Sequence, residues 1–272
     1  MAAMPIVRRR VDLGLTGKVA LVAAGSKGLG RGCALALARE GAHVAICARS
    51  EAHLAAAAAD IRDATGAEVL TAQADVSREP DIRAVVAATA EHFGGIDILV
   101  NNSGGPRIGR FADLADDDWQ RAFELVTMNF VRFVREVVPH MRARQWGRII
   151  GIQSTSVKQP VGNIDLSNGI RPGIAGLMKA LMPDLARDGI TINLVLPGTF
   201  LTSRISPGLD ESGPADPDLL SRFKPLAESI PVGRIGQPIE LGDLVAFLAS
   251  QRAGYITGAV YQIDGGVTAS NV

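Results

Sequence analysis

Two groups of residues in this chain have types and spacing that can do chemistry. The first is the turn Ala24-Gly25-Ser26-Lys27-Gly28-Leu29-Gly30, which follows the apolar run Lys18–Val22 and precedes a helical stretch from Arg31. Glycines between a strand and a helix let the backbone approach a pyrophosphate, and the helix N-terminus favours its charge. The second group is Ser154, Ser167 and Arg171, with Ser167 thirteen residues past Ser154 and Arg171 four beyond that. Hydroxyls and a guanidinium can donate hydrogen bonds to an oxygen that is gaining negative charge. Neither is a ready proton donor. A serine hydroxyl is a far weaker acid than a phenol of pKa about 10, and an arginine keeps its proton.

Lys158 stands four residues past Ser154, in the loop that follows the strand. A partly desolvated lysine can titrate near neutrality, so Lys158 is a candidate substitute acid. The plainer reading is a solvated loop cation. Asp165 lies near a helix start and reads as its cap. Arg49 follows Ala48 at the end of the second apolar run, where an NAD site would place an acid for the ribose 2′-hydroxyl. The missing acid, Arg49 and the nearby Lys27 point to a 2′-phosphate and hence to NADP(H). The alternative makes both cations ordinary surface residues.

These residues need elements to hold them. Continuous apolar runs alternate with helical spacing along the chain. Strands are expected at Lys18–Val22, Ala42–Cys47, Glu68–Gln73, Ile96–Val100, Arg148–Ile152, Thr191–Val195 and Ala259–Ile263. Helices are expected at Arg31–Glu40, Glu51–Thr65, Glu79–Phe93, Asp116–Met141, Leu166–Ala186 and Pro238–Ala249. Ser77 reads as the cap of the third helix, Pro139 as a bend in the fourth, and Pro172 and Pro183 as interruptions of the fifth. The pattern implies an α/β class: one Rossmann-like, doubly wound parallel sheet with helices on both faces. Residues 1–14 read as an N-terminal extension and 15–272 as the domain. The stretch 203–231 is rich in Pro, Gly and charge and reads as a substrate lid.

Composition narrows the function. Lys plus Arg equals Asp plus Glu, 28 against 28, so nothing suggests nucleic acid or an acidic membrane. Arg8-Arg9-Arg10 reads as a solvated tail. No apolar run approaches the roughly 18 residues that span a bilayer, and no signal-peptide pattern follows the N-terminal arginines. Cys33 and Cys47 read as buried thiols of a reducing compartment, so a cytoplasmic location is expected. His43, His53, His92 and His140 have no partner spacing, and no metal site is expected.

The glycine turn, Asn101-Asn102-Ser103-Gly104, Ser154, Pro197-Gly198 with Thr202, Tyr255-Ile256-Thr257-Gly258 and Asp264-Gly265-Gly266 together resemble the short-chain dehydrogenase/reductase superfamily. The resemblance runs from about Leu15 to Gly266. It is nearest to a divergent branch of proteins similar to 3-oxoacyl-carrier-protein reductases. It implies that Asp75 and Val76 meet the adenine, that Asn101 and Asn102 hold the adenosine-side ribose and sheet edge, and that Pro197, Gly198 and Thr202 meet the nicotinamide end. It implies a water-relaying role for Asn129, and pairing of the two long helices into a homodimer or homotetramer. The superfamily works through a Ser, a Tyr and a Lys. Ser167 stands here at the tyrosine position and Arg171 at the lysine position, and the only tyrosines, Tyr255 and Tyr261, lie in the C-terminal motif. The first glycine of the family turn is Ala24, which can serve with a negative φ.

Two functions follow. One is an NADP(H)-dependent oxidoreductase that reduces a small carbonyl substrate to an alcohol, or the reverse, without the usual Tyr and Lys. The other is a non-redox protein on this fold: a lyase, a hydratase or an NADPH-binding sensor.

Overall fold

The computed structural model describes residues 11–205 and 221–271. Seven strands form one parallel sheet: β1 Val19–Ala23, β2 His43–Ala48, β3 Val69–Gln73, β4 Ile98–Asn101, β5 Gly147–Ile152, β6 Ile190–Pro197 and β7 Val260–Ile263. Their order is β3-β2-β1-β4-β5-β6-β7. The chain runs outward from β1 to β3, then crosses back to start β4 beside β1. That reversal opens a crevice at the carboxyl ends of β1 and β4, where open α/β sheets bind ligands. β1, β4 and β5 are buried along their whole length, as expected of Val-, Ile- and Leu-rich strands covered on both faces.

One face is covered by α1 Gly28–Arg39, α2 Glu51–Thr65 and α8 Pro238–Ala249. The other is covered by α3 Glu79–Phe93, α5 Asn129–Ala143 and α6 Asp165–Arg187. The helix α4, Asp116–Phe123, leads into α5, and a short α7 spans Lys224–Glu228. α1 and α8 cross with their backbones nearly touching. A Cβ added to Gly32 would lie 2.4 Å from the Pro238 carbonyl oxygen, and one on Gly242 would lie 2.3 Å from the Gly32 oxygen. This crossing fixes the start of α1, and therefore the glycine turn, over the sheet.

Several local expectations are corrected. Ser77 does not cap α3. Its hydroxyl donates to Asp75 at 2.7 Å, and Arg78 stands at the N-cap. The expected long helix at 116–141 is divided at Glu124–Met128, which winds as a π-helix, while α5 runs through Pro139 without a break. π-turns of this kind gather at functional sites, and this one ends directly before Asn129. α6 is likewise one helix of 23 residues with Pro172 and Pro183 inside it. Each proline removes one N–H from the helix ladder without ending the helix. Part of the expected N-terminal extension is pinned: Leu13 O accepts from Gln251 N at 3.0 Å and Asp12 O from Arg252 Nε at 2.7 Å. Arg8, Arg9 and Arg10 lie outside the described residues, as does 206–220 of the expected lid. The described remainder of that stretch includes α7. Phe223, Ala227 and Ile205 pack there on a small cluster of Leu201, Ile230 and Ile235.

The glycine turn departs from expectation at Ala24, whose φ is +49°, not negative. Position 24 is thus left-handed although it carries a Cβ. Gly30 packs directly on it: a Cβ at Gly30 would sit 2.2 Å from the Ala24 oxygen. A left-handed residue with a Cβ costs roughly 1–2 kcal/mol.

Two stability predictions follow. Gly242→Ala forces α8 off α1 and should lower the unfolding free energy by about 1–3 kcal/mol in urea titration; an unchanged midpoint would refute the tight crossing. Ala24→Gly should raise stability by up to about 1 kcal/mol, because the strain removed exceeds the added chain entropy. A loss of stability would show that the Ala24 methyl is a packing group instead.

Candidate functional site

Every expected site residue lies at or just beyond a carboxyl strand end, or on the first turns of the helices that follow. At β1 the chain passes through Ala24-Gly25-Ser26 to α1. Lys27 is the N-cap of α1, and it is extended, exposed and without a side-chain cap bond. The first turn of α1 therefore presents its N–H groups to the crevice, and no carboxylate stands in that turn. Gly30 keeps the helix close to the turn, with the Asn102 amide beside it. Ser26 and Leu29 are half-buried in the same turn. These features fit an anionic group such as a pyrophosphate.

Arg49 is exposed at the end of β2 and forms no ion pair among the described residues. Its carbonyl accepts from Gln73 at 2.9 Å, which fixes its backbone against β3. Asp75 faces it after β3. Burial pushes the Asp75 carboxyl up, but bonds from the Ser77 N–H and hydroxyl, with the charges of Arg49 and Arg78, hold it below the usual range. Val76 is 7% exposed and packs mainly into the core.

At β4, Asn101 is buried and its Nδ2 donates to Asn129 Oδ1 at 2.5 Å. This bond ties the strand end to the start of α5. The Asn129 Nδ2 is buried with no partner among the described residues. Asn102, Ser103 and Gly104 follow as an open turn, in which a Cβ on Gly104 would meet nothing within 4 Å. At β6, Pro197 leads to Gly198, which presses on Asp264 so closely that a Cβ would lie 2.6 Å from the Asp264 Cβ. Thr202 is half-buried, with its hydroxyl 3.5 Å from the Phe200 carbonyl.

β5 and α6 bring the second group together. Ser154 follows the strand, and its Oγ accepts from Ser156 N at 3.1 Å. With its oxygen so used, the hydroxyl keeps a proton to donate. α6 begins at Asp165, not Leu166. Asp165 does not cap the helix: it accepts from Phe111 N at 2.8 Å and pins the segment between β4 and α4. Ser167 and Arg171 are one helical turn apart on one face and are each 5% exposed. The Ser167 hydroxyl has no hydrogen-bond partner among the described residues.

Arg171 Nη1 donates to Gln153 Oε1 at 2.9 Å, so the turn of α6 that carries Ser167 is tied to the residue beside Ser154. Burial, then the nearby charge of Arg204, pulls the Arg171 guanidinium down to about 10, which leaves it charged at neutral pH. Lys158 is not brought into this set: its Nζ donates to Gln262 on β7 at 3.2 Å.

Two residues of the site were missed from sequence. Gln153 lies next to Ser154, but a glutamine after an apolar strand carries no signal of its own. Arg204 lies two residues past Thr202, and its guanidinium packs over Gly105. Among the described residues no His, Cys, Asp or Glu cluster could hold a metal, and no helix is long and apolar enough to cross a membrane. Cys33 and Cys47 are free and fully buried, and burial pushes both thiols well above their usual range.

The family model described as enoyl-(acyl carrier protein) reductase matches residues 23–268. The chain is similar to the 3-oxoacyl-[acyl-carrier-protein] reductase FabG of Staphylococcus epidermidis, 32% identical over 252 residues, covering 92% of this chain and 98% of that one. It is similar in structure to L-sorbose reductase from Gluconobacter frateurii, solved with NADPH and L-sorbose. The TM-score is 0.87 at 33% identity, over 96% of this chain and 100% of that one. It is also similar to an NADPH-bound short chain oxidoreductase from Pseudomonas aeruginosa PAO1 described as containing an atypical catalytic center. That TM-score is 0.87 at 29% identity, over 94% and 98% of the two chains. The strand order, the glycine turn on α1, the residues at the ends of β4 to β6 and these matches agree: the chain belongs to the short-chain dehydrogenase/reductase family.

Proposed function

We propose that this protein is an NADP(H)-dependent carbonyl reductase in which Ser154, Ser167 and Arg171 surround the reacting oxygen. The observation that carries the reading is the buried Arg171. It bonds to Gln153 beside Ser154 and shares a helix face with Ser167. A charge is expensive to bury, and this one lies where a carbonyl oxygen would become an alkoxide. The NADPH complexes of the two similar structures support the cofactor. So does the fit of the site: an α1 N-terminus with no acidic residue in its first turn for the pyrophosphate, and Arg49 and Lys27 for the 2′-phosphate.

In this reading the turn Ala24–Gly30 holds the pyrophosphate. Asp75 and Val76 border the adenine, and Asn101, Asn102, Ser103 and Gly104 line the adenosine-side ribose and the sheet edge. Pro197, Gly198 and Thr202 border the nicotinamide, and Arg171 lies against its ribose. The reduced dinucleotide, when bound, supplies a hydride to the carbonyl carbon. Ser154 and Ser167 donate hydrogen bonds to the carbonyl oxygen. Arg171 places its charge beside the same oxygen as negative charge develops there. The proton that completes the alcohol comes from water, because a serine is too weak an acid and an arginine does not release one. Asn129, with its unpartnered Nδ2, stands where such a water would be held. Lys158, bonded to Gln262 on β7, takes no part in this proton transfer.

Two experiments test it. NADPH oxidation should be measured against ketones, aldehydes and β-ketoesters. Turnover is expected, and Ser154→Ala and Arg171→Ala should each lower kcat by about 10²-fold or more. If both variants kept the full rate, the oxygen site would be wrongly assigned. NADPH binding without any turnover, and no deuterium passed from labelled NADPH to a product, would favour the non-redox reading. Separately, Arg49→Asp should reduce the preference for NADPH over NADH by about 10- to 100-fold in calorimetric binding. An unchanged ratio would remove Arg49 from the 2′-phosphate site.

A further inference from the structure

Several described arginines have acidic partners. Arg107 pairs with Asp118 at 2.6 Å, Arg132 with Glu124 at 2.7 Å, Arg142 with Asp188 at 2.7 Å and Arg234 with Glu240 at 2.6 Å. Arg148, also buried, has no carboxylate but donates to three carbonyls, of Ser250, Gly147 and Gly189, and lies over the Trp146 ring at 4.3 Å. Arg171 has no such compensation. It is 5% exposed, its one bond goes to the neutral amide of Gln153, and its Nε is buried with no partner among the described residues.

A second cation stands near it. Arg204 donates to the Pro106 carbonyl at 3.3 Å and otherwise forms no ion pair among the described residues. Its guanidinium occupies the space a side chain at Gly105 would fill: a Cβ there would lie 2.3 Å from the Arg204 Cζ. Burial lowers the Arg204 guanidinium, and its charge is felt at Arg171. The sheet brings this pair together from three strand exits. Gly105 and Pro106 follow β4, Gln153 ends β5, and Arg204 follows β6.

Two partly or wholly buried guanidinium groups that feel each other's charge, with no carboxylate partner among the described residues, repel each other and have donors left to satisfy. Both costs fall away when an anion binds between them. A carboxylate is the anion whose two oxygens match a planar guanidinium fork.

We infer that Arg204, with Arg171, receives a carboxylate of the substrate, so that the carbonyl compound reduced here is a small oxo acid. This rests on the carbonyl-reductase reading. The substrate's carboxylate faces Arg204 while its carbonyl oxygen meets Ser154 and Ser167. The hydride and proton go to that carbonyl, and the carboxylate takes no part in bond making. Arg204 is thus a specificity residue.

The test compares acids with their own methyl esters. Pyruvate, acetoacetate and 2-oxoglutarate, with the matching esters, are titrated calorimetrically into the full-length protein, both without dinucleotide and with NADP+. At least one acid should bind about tenfold more tightly than its ester or better, and Arg204→Gln should erase that preference while Arg204→Lys keeps part of it. Equal binding of every acid and its ester in the parent protein, or a preference that survives Arg204→Gln, overturns the inference. If Arg204→Gln instead weakens NADPH about tenfold and leaves the acid preference intact, the anion is the dinucleotide's phosphate and the inference fails. NADPH oxidation with the same compounds separates the two readings. Ester turnover without acid preference leaves the reductase and removes the carboxylate site. Acid preference lost in Arg204→Gln, with no NADPH oxidation anywhere, keeps the carboxylate site and removes the reductase.

Discussion

Seven parallel strands covered on both faces confine polar chemistry to the edges of the sheet. Nothing charged can leave the middle of β1, β4 or β5, because both sides of these strands are packed against helices. The amino edge is closed by its own clasp, in which the buried Asp97 accepts from Val19 N at 2.9 Å and pairs with Arg144 at 2.8 Å. The carboxyl edge is left to carry function, and each strand exit contributes there. The glycine turn leaves β1, Arg49 leaves β2 and Asp75 leaves β3. The Asn101–Pro106 turn leaves β4, Ser154 leaves β5 and the Gly198–Arg204 segment leaves β6. α6 completes the set by laying Arg171 against Gln153, with Ser167 one helical turn earlier.

The choice of arginine over lysine at position 171 follows from the burial of that position. Burial and a neighbouring charge bring the guanidinium from 12.5 to about 10. A lysine has a lower ordinary pKa, so the same burial would cost it its charge sooner. In a site with a tyrosine, a lysine serves by shifting the phenol's proton. Without a phenol that service has no object, and what is left to supply is a constant positive charge. Arginine supplies it at the depth where lysine would begin to lose its proton.

The sheet and the helices around it were readable because they rest on periodicity. The runs at Lys18–Val22 and Arg148–Ile152 are unbroken and apolar, and Glu51–Thr65, Glu79–Phe93 and Pro238–Ala249 carry their own start signals. The misreadings have different causes. Pro172 and Pro183 break isolated helices, but in α6 neighbouring apolar contacts of Ile174, Met178 and Leu185 hold the helix through both. Ser77 is a good cap residue, but Asp75 offered its hydroxyl a charged acceptor. Ala24 was expected to avoid a left-handed backbone, yet it adopts one, with Gly30 seated closely on its carbonyl. Arg204 was invisible for a different reason. Its role depends on the empty space at Gly105, ninety-nine residues earlier, and no local pattern encodes that meeting.

On the reductase reading, the loss of the phenol changes which step is difficult and leaves the chemistry feasible. A positioned general acid is worth about 10²–10⁴-fold, and a single preorganised oxyanion donor about 10²–10³-fold. Two hydroxyls and a buried cation around one oxygen therefore reach the magnitude that an acid would have supplied, provided they are held still. The Ser156 N–H fixes Ser154, the helix fixes Ser167, and Gln153 fixes Arg171. Such a field stabilises an alkoxide but cannot neutralise it, so water must still deliver the proton. The site gains by holding negative charge for longer than a tyrosine site would. A second anionic group on the substrate would strengthen the need for cations there, and Arg171 and Arg204 answer both demands from the same corner of the sheet.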